Sequence, residues 1–332
     1  MRVPLAAAPL CLAAAAAAAS APAITPLEIR QGLFATCFAD AQTGWMVGEL
    51  GRIFHTTDGG RSWTRQDAGT ERPLFTVACV DPDTAWVAGK EGIVYATRDG
   101  GQTWTPRPTG STRHLFSMRF AGRARGHAVG DYGTMLHTED AGATWTVEPI
   151  AGVVTLPPSA VDLGIDPGDV NLYAVAYGDA EHAWVVGEFG TIIASDDGGR
   201  SWHQQRAPVE STLFGTYFAD ARRGWAVGID AVILHTEDGG QTWLVQPPPV
   251  AQRSYYDVFV EGQTGWIVGD SGTMLRSTDG GGAWTAAPLP IQLAARWIRS
   301  IALTPAGNGL AVGAEGLVLR LEGDRLASGR AS

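Results

Sequence analysis

The sequence predicts an all-β fold, a seven-bladed β-propeller with four-stranded antiparallel blades. Tryptophan recurs at two positions of a repeat, and a glycine stands three residues after each member of the second series. Such repeats indicate a propeller, because one four-stranded sheet of about 40 residues cannot bury both faces alone. The first series, spaced by 41 residues except for one gap of 57, is Trp63, Trp104, Trp145, Trp202, Trp243 and Trp284. The second is Trp45, Trp86, His127, Trp184, Trp225, Trp266 and Leu310, with Gly48, Gly89, Gly130, Gly187, Gly228, Gly269 and Gly313.

The first repeat indicates how one unit becomes four strands. Short apolar runs alternate with tight turns rich in glycine, which predicts an antiparallel meander. The first strand opens at Leu33-Phe34, the second contains Trp45 to Gly48, the third spans Arg52 to Thr57, and the fourth begins at Trp63.

Seven strand openings divide residues 24–332 into blades. The seventh repeat lacks the Asp-Gly-Gly turn and the Trp that follows it. We therefore expect the N-terminal segment Ile24 to Arg30 to supply its outer strand and to close the ring without an open edge. An insertion at 147–170, rich in Pro, Gly and Asp, interrupts the repeats and is a place to expect function. The blades begin near Leu33, Leu74, Leu115, Leu172, Leu213, Tyr255 and Trp297.

Residues 1–23 have the pattern of a secretory signal peptide. Arg2 precedes an apolar, alanine-rich stretch, and Ala21-Pro22-Ala23 offers a cleavage site. No second apolar stretch approaches the roughly 18 residues of a membrane span. We therefore expect an exported protein, periplasmic or extracellular, with no membrane span in the mature chain. The net charge of −10 argues against a nucleic-acid partner, which requires a basic surface.

The mature chain contains two cysteines, Cys37 and Cys79. They lie on equivalent strands of neighbouring repeats but one register position apart. Because side chains alternate between the faces of a sheet, we expect them to point to opposite sides. This spacing favours two buried free thiols over a disulfide.

The third turn of each repeat carries the Asp-box, also called the bacterial-neuraminidase repeat. Its Asp can accept backbone N–H bonds within its own turn, and its Gly permits left-handed dihedral angles. We expect these residues to be structural, and no metal or cofactor is predicted. The six aspartates are Asp58, Asp99, Asp140, Asp197, Asp238 and Asp279.

The combined unit resembles the photosystem II stability/assembly factor family. Gly44-Trp45-Met46-Val47-Gly48, Gly224-Trp225-Ala226-Val227-Gly228 and Gly265-Trp266-Ile267-Val268-Gly269 are the best matches, and the resemblance covers residues 30–322. It implies a propeller without catalysis of its own that holds a membrane-protein subunit during assembly. It also implies location in the periplasm, or in the thylakoid lumen if the host is photosynthetic. We expect a monomer.

We place the partner-binding face where the turns between second and third strands lie, opposite the Asp-boxes. Each of these turns carries an acid, and arginines recur in the linkers that enter the innermost strands. Aligned arginines recognise carboxylates, and an acidic ring attracts cations or basic partners, although such residues are also ordinary surface residues. The arginines are Arg72, Arg113, Arg253 and Arg296, with Arg30 nearby. The acids are Glu49, Glu91, Asp131, Glu188 and Asp270, with Asp230 and Glu315.

Two alternative functions remain open, a ligand- or glycan-binding propeller and a sialidase-like glycoside hydrolase. Sialidases share the Asp-box, but the Arg-Ile-Pro segment with which they usually open does not occur here. Tyr255 and Tyr256 could be offered as nucleophiles, yet they stand at the ordinary strand opening, which indicates core. His55, His137 and His235 fall in different blades and cannot share a metal. Asp162, Asp166 and Asp169 could hold calcium but lack the full ligand spacing of a known loop.

Overall fold

The computed structural model describes residues 30–304, 307–322 and 325–326. These residues form seven sheets, each of four antiparallel strands in sequential order. The predicted seven-bladed, all-β propeller is therefore confirmed. The predicted signal peptide at residues 1–23 lies outside the described residues.

The strands are numbered along the chain, four to a blade. Blade 1 contains β1 (Leu33–Phe38), β2 (Gly44–Gly48), β3 (Ile53–Thr56) and β4 (Thr64–Gln66), and blade 2 contains β5 (Leu74–Cys79), β6 (Ala85–Gly89), β7 (Val94–Thr97) and β8 (Thr105–Pro106). Blade 3 contains β9 (Leu115–Ala121), β10 (Arg125–Gly130), β11 (Met135–Thr138) and β12 (Thr146–Val147), and blade 4 contains β13 (Leu172–Tyr177), β14 (Ala183–Gly187), β15 (Ile192–Ser195) and β16 (His203–Gln205). Blade 5 contains β17 (Leu213–Phe218), β18 (Gly224–Gly228), β19 (Ile233–Thr236) and β20 (Leu244–Val245), and blade 6 contains β21 (Tyr255–Glu261), β22 (Thr264–Gly269), β23 (Met274–Ser277) and β24 (Thr285–Ala286). Blade 7 contains β25 (Ile298–Leu303), β26 (Asn308–Gly313), β27 (Val318–Glu322) and β28 (Arg325–Leu326).

The outer strand of blade 7 corrects the expectation that the N-terminus closes the ring. Strand β28 pairs antiparallel with β27, so the fourth position of this blade is filled from the C-terminal side. Residues 24–29 of the expected closing strand lie outside the described residues. The sequence prediction did not consider these C-terminal residues because the seventh repeat lacks the Asp-box turn that precedes the outer strand in the other six.

Blades 1 and 7 meet through side chains. Strand β1 packs against β25 and β26. Leu33 and Met46 of blade 1 are fully buried in one cluster with Leu310 and Val312 of blade 7. Ring closure therefore rests on apolar burial, the same interaction that joins the other blades.

The second-strand tryptophans join each blade to the next. Trp184 is buried, stacks on Phe218 of blade 5 with ring centroids 3.4 Å apart, and donates its Nε1–H to the Gly239 carbonyl oxygen at 3.1 Å. Gln205 on the outer strand of blade 4 donates to the same carbonyl at 2.7 Å and accepts from Trp243 at 3.1 Å. This seam thus combines buried area with satisfied polar groups.

The seam between blades 3 and 4 uses different chemistry. His127 replaces the second-strand tryptophan and is fully buried, and Glu148 stands where blades 1, 4 and 5 carry glutamine. His127 hydrogen-bonds to the Tyr177 hydroxyl of blade 4, and its Nε2 lies 3.4 Å from Glu148. Trp202 of blade 4 donates to the same Glu148 carboxylate at 3.3 Å. An ionisable cluster therefore performs the joining role that Trp and Gln perform elsewhere.

The insertion folds over blade 4. It contains the short helix α1 (Pro158–Asp162) and a 3-10 turn at Pro167–Asp169. Its Ile150 and Leu156 are buried in the cluster between blades 3 and 4. Thr155 exchanges two backbone hydrogen bonds with the side chain of Gln204, at 2.7 and 2.9 Å. The insertion is thus anchored to the scaffold rather than loose.

A disulfide links Cys37 on β1 to Cys79 on β5, with the two Cα atoms 6.2 Å apart. The expectation of two free thiols was wrong. Opposite faces of two equivalent sheets point at each other when the sheets stack side by side, so a shift of one register position brings the sulfurs together instead of separating them.

Among the helices of the described residues, none is long and apolar enough to cross a membrane.

The Asp-box turns should contribute stability that depends on pH. Asp197 accepts hydrogen bonds from Ser195, Ser201 and the Arg200 backbone N–H, and the bonds from Ser201 are the main cause that lowers its pKa to about 2. We expect Asp197→Ala to lower the free energy of unfolding by about 1–2 kcal/mol at neutral pH. A pKa below the unfolded value means that this contribution is complete above about pH 4 and is lost as the pH falls towards 2.

Urea denaturation of parent and variant across this pH range measures the effect. Asp196→Ala is the matched control, because Asp196 is the exposed neighbour in the same turn. A parent–variant difference that does not shrink at low pH would contradict the assignment.

The disulfide should stabilise the folded chain by restricting the unfolded one. It closes a loop across a sequence separation of 42, so Cys37→Ser with Cys79→Ser should reduce the free energy of unfolding by about 2–4 kcal/mol. Denaturation with and without reductant measures this. Reductant should bring the parent to the level of the double variant and leave that variant unchanged; an equal response of both proteins would argue against the bond.

Candidate functional site

Every blade has a β-bulge at the start of its innermost strand. In blade 1, Leu33 pairs with Gly48 and Ala35 with Val47, so Phe34 is an extra residue without a partner. The bulge brings the Gly32 carbonyl against Gly48, where a Cβ atom would lie closer to that oxygen than side chains ever approach. The repeated glycine is therefore required for this close approach, and the bulge redirects the extra side chain.

The seven redirected side chains form a collar around one mouth of the central channel. Six are aromatic, and neighbouring ring centroids along the series lie 5.1–6.0 Å apart. Arg299 completes the series, with its guanidinium 4.9 Å from the Tyr256 ring centroid. These spacings are typical of aromatic and cation–π contacts. The collar is Phe34, Phe75, Phe116, Tyr173, Phe214, Tyr256 and Arg299.

The collar lies on the face that carries the turns between second and third strands. Glycines such as Gly48 end the second strand at this face, whereas Gly44 at the other end of that strand pairs with Thr56, which begins the Asp-box. The channel mouth therefore opens on the face that the sequence predicts for partner binding.

Charged side chains line the channel beneath the collar. The collar encloses a cavity of 260 Å³, and a second cavity of 250 Å³ lies towards the Asp-box face. Arg119, Thr216 and Asp257 line both cavities, and we call this level the waist. Asp257 accepts the backbone N–H of Ile301 in blade 7 at 3.0 Å. Thr76 and Ser117 accept equivalent N–H groups in their neighbouring blades, so Asp257 also has a structural role.

Enclosure by protein shifts the ionisation of these groups. Burial lowers the pKa of the Arg119 and Arg299 guanidinium groups, and the charge of Asp257 partly opposes this shift. Burial also raises the pKa of Asp257, whereas the hydrogen bond from the Ile301 N–H and the positive charge of Arg119 lower it. Asp257 and Arg299 are half-buried, whereas Arg119 remains exposed to the water of the channel.

The predicted arginines lie around this mouth, each near the turn of its own blade. Arg72 Nε lies 2.9 Å from Glu91, and Arg296 lies 2.8 Å from Glu315. Arg253 lies 4.0 Å from Asp270, and Arg113 stacks on Tyr132 with its guanidinium 4.2 Å from the ring centroid. These arginines are thus paired locally and do not form one free basic patch.

The predicted acids occupy two different turn positions and do not form one ring. The first position holds residues that bind the linker before the inner strand. The second holds residues in the left-handed region, among them Glu91, Asp230 and Glu315. At the first position Glu49 accepts from Gly32 N–H at 3.1 Å, Glu188 accepts from Asn171 N–H at 3.0 Å, Asp131 lies 3.9 Å from His114, and Asp270 faces Arg253.

The histidines and the insertion carboxylates do not converge. His55 stacks on Trp45 and His235 on Trp225, in separate blades. Asp166 accepts the Gly168 N–H within its own turn at 2.7 Å. Within residues 30–304, 307–322 and 325–326, no group of three or more His, Cys, Asp or Glu side chains is placed to hold a metal ion.

Sequence reasoning missed the channel residues. Tyr255 is fully buried as expected, but Tyr256 is a collar residue, so the assignment of both tyrosines to the core was half wrong. Aligning the repeats column by column would have separated these positions, since one column is apolar and the next aromatic. The same alignment shows Arg119 in a column otherwise made of alanine, cysteine and aromatic residues.

Comparisons with known proteins agree on the architecture. The family model described as photosynthesis system II assembly factor YCF48 matches residues 14–106, 62–157, 151–244 and 200–320. No curated protein matches the chain significantly.

Solved structures with the same fold belong to several kinds of protein. A YCF48 bound to a D1 peptide is 20% identical, with a TM-score of 0.70 and coverage of 91% of this chain and 96% of the other. YCF48 from Cyanidioschyzon merolae is 21% identical, with a TM-score of 0.73 and coverages of 91% and 99%. A GH74 xyloglucanase from Xanthomonas campestris is 13% identical, with a TM-score of 0.69, and this chain spans 52% of it.

The pair Arg72–Glu91 should contribute little to stability, because both side chains are about half exposed. A double-mutant cycle with Arg72→Gln and Glu91→Gln should give a coupling free energy below about 1 kcal/mol, measured by urea denaturation. A much larger coupling would mean that the pair is a structural element of the blade. A small coupling free energy would mean that Arg72→Gln stays folded and can be used in binding experiments.

Proposed function

The chain belongs to the photosynthesis system II assembly factor YCF48 family, and from this we propose that it is a non-enzymatic scaffold that binds an extended segment of a membrane-protein subunit. The binding face is the one that carries the channel mouth. The observation behind this proposal is the collar, a continuous set of aromatic side chains that the fold directs to an open mouth. Concave sites lined by aromatic residues with a few polar groups are typical of ligand binding.

The comparison with a YCF48 bound to a D1 peptide supports a peptide as the ligand. A collar built from single side chains suits an extended chain or one inserted side chain better than a folded domain. The pairs Arg72–Glu91 and Arg296–Glu315 lie around the mouth and offer polar contacts to the rest of such a segment.

Export is part of the proposal. The signal-peptide pattern of residues 1–23 supports it, and so does the disulfide Cys37–Cys79, because disulfides persist in oxidising compartments such as the periplasm. In a photosynthetic host the corresponding compartment is the thylakoid lumen.

A glycan is the second candidate ligand, since aromatic faces also stack on sugar rings and a glycoside hydrolase shares the fold. Hydrolysis receives less support from the channel. Glycosidases generally use two carboxyl groups that flank the scissile bond. Among the described residues that line the collar cavity, Asp257 is the single carboxylate, and two backbone N–H groups already bind it.

Capture from gently solubilised host membranes tests the proposal. A C-terminally tagged chain should retain one membrane-protein complex, and Phe75→Ser with Phe214→Ser should reduce its recovery by about tenfold or more, since aromatic anchors often contribute 2 kcal/mol or more to binding. The matched control is Leu244→Ser, an exposed apolar residue on the outer strand of blade 5.

Three results would count against the proposal. Equal recovery with the collar variant would exclude the channel mouth, and recovery of polysaccharide in place of protein would favour the glycan alternative. The captured chain should begin at Ile24, and an intact N-terminus would contradict export.

A further inference from the structure

The waist and collar enclose more positive than negative charge. Arg119 and Arg299 both line the collar cavity, and the one carboxylate among the described residues that line it is Asp257. Arginine remains protonated in proteins, so two cations face one anion. Charges in such an enclosed channel are screened by salt much less than those on the rim.

Two backbone hydrogen bonds occupy part of the acceptor capacity of Asp257. One of its oxygens accepts the Val258 N–H at 2.9 Å and the other accepts the Ile301 N–H at 3.0 Å. These bonds hold the carboxylate against the channel wall. The guanidinium of Arg119 donates to the Met118 carbonyl oxygen at 3.0 Å while its side chain remains exposed to channel water. A guanidinium has five N–H donors, so Arg119 has more donors than this single bond uses.

The collar determines what can reach the waist. Its ring contacts run from blade 1 to blade 6, and Arg299 covers the blade 7 position through its contact with Tyr256. A cavity of 260 Å³ under such a collar suits one side chain or a chain end rather than a bulky ligand. The aromatic walls favour apolar atoms in the part of the ligand that passes the collar. The waist favours an anionic group at the end of the ligand.

We propose that Arg119 and Arg299 bind a carboxylate group carried into the channel by the extended peptide segment. This inference rests on the proposed function and specifies its ligand. The carboxylate belongs either to an acidic side chain or to a chain end, because both present the same planar anion to a guanidinium. The collar packs against the apolar atoms that precede it.

Three synthetic peptides test the inference by calorimetric titration of the mature protein. The first is acetyl-Gly-Ala-Phe-Ala-Leu with a free terminal carboxylate, the second is its amide, and the third is the amide with glutamate in place of the last alanine. We expect the first or third peptide to bind at least about tenfold more tightly than the second. Whichever of these two peptides binds more tightly than the plain amide identifies the source of the carboxylate.

Arg119→Met and Arg299→Met should each remove most of this preference, because each should weaken binding of the carboxylate peptide at least about fivefold more than binding of the plain amide. The matched control is Arg113→Met, because Arg113 also stacks on a tyrosine of the same face but lies outside the channel. It should keep the preference of the parent.

The outcomes separate the two proposals. Equal binding of all three peptides, or a preference that survives both channel variants, would overturn the carboxylate site while peptide binding itself stands. Absence of binding by every peptide would also overturn it, and the membrane capture experiment would then decide the scaffold role independently.

Discussion

The close approach of one glycine to one carbonyl oxygen determines both the blade and the channel. At the end of each second strand, from Gly48 to Gly313, the chain passes so near the linker before the innermost strand that no Cβ atom fits. This approach makes room for the bulge, and the bulge directs one side chain per blade towards the axis. The repeated motif that defines the fold therefore also creates the collar.

Two kinds of electrostatic arrangement coexist on the channel-mouth face. Around the rim, Arg72 and Arg296 meet acids of their own blades in contact with bulk water, so these charges are balanced within single blades. In the channel, Arg119 and Asp257 come from blades 3 and 6, so their balance exists only in the assembled ring. Rim charges can be changed one blade at a time, whereas channel charges couple distant blades.

Features repeated from blade to blade could be predicted from the sequence, because the same residue type recurs wherever the same local role recurs. The blade number and the Asp-box turns, such as that of Asp197, are of this kind. The disulfide, the closing strand and the channel charges depend on how neighbouring blades face each other. Cys37 and Cys79 were misjudged because a rule for one sheet was applied to two. Arg119 and Asp257 each occur once, and only the ring places them together.

The outer strand of blade 7 has a consequence for the history of such chains. In the part of the chain that the structure describes, every blade is one uninterrupted segment, and no blade borrows a strand from the far end of the chain. A gene segment that encodes one repeat therefore encodes one complete four-stranded sheet. Duplication or loss of such a segment adds or removes a whole blade and leaves no sheet with a missing strand. Propellers built in this way can change their number of blades by recombination without a new arrangement of strands where the first and last blades meet.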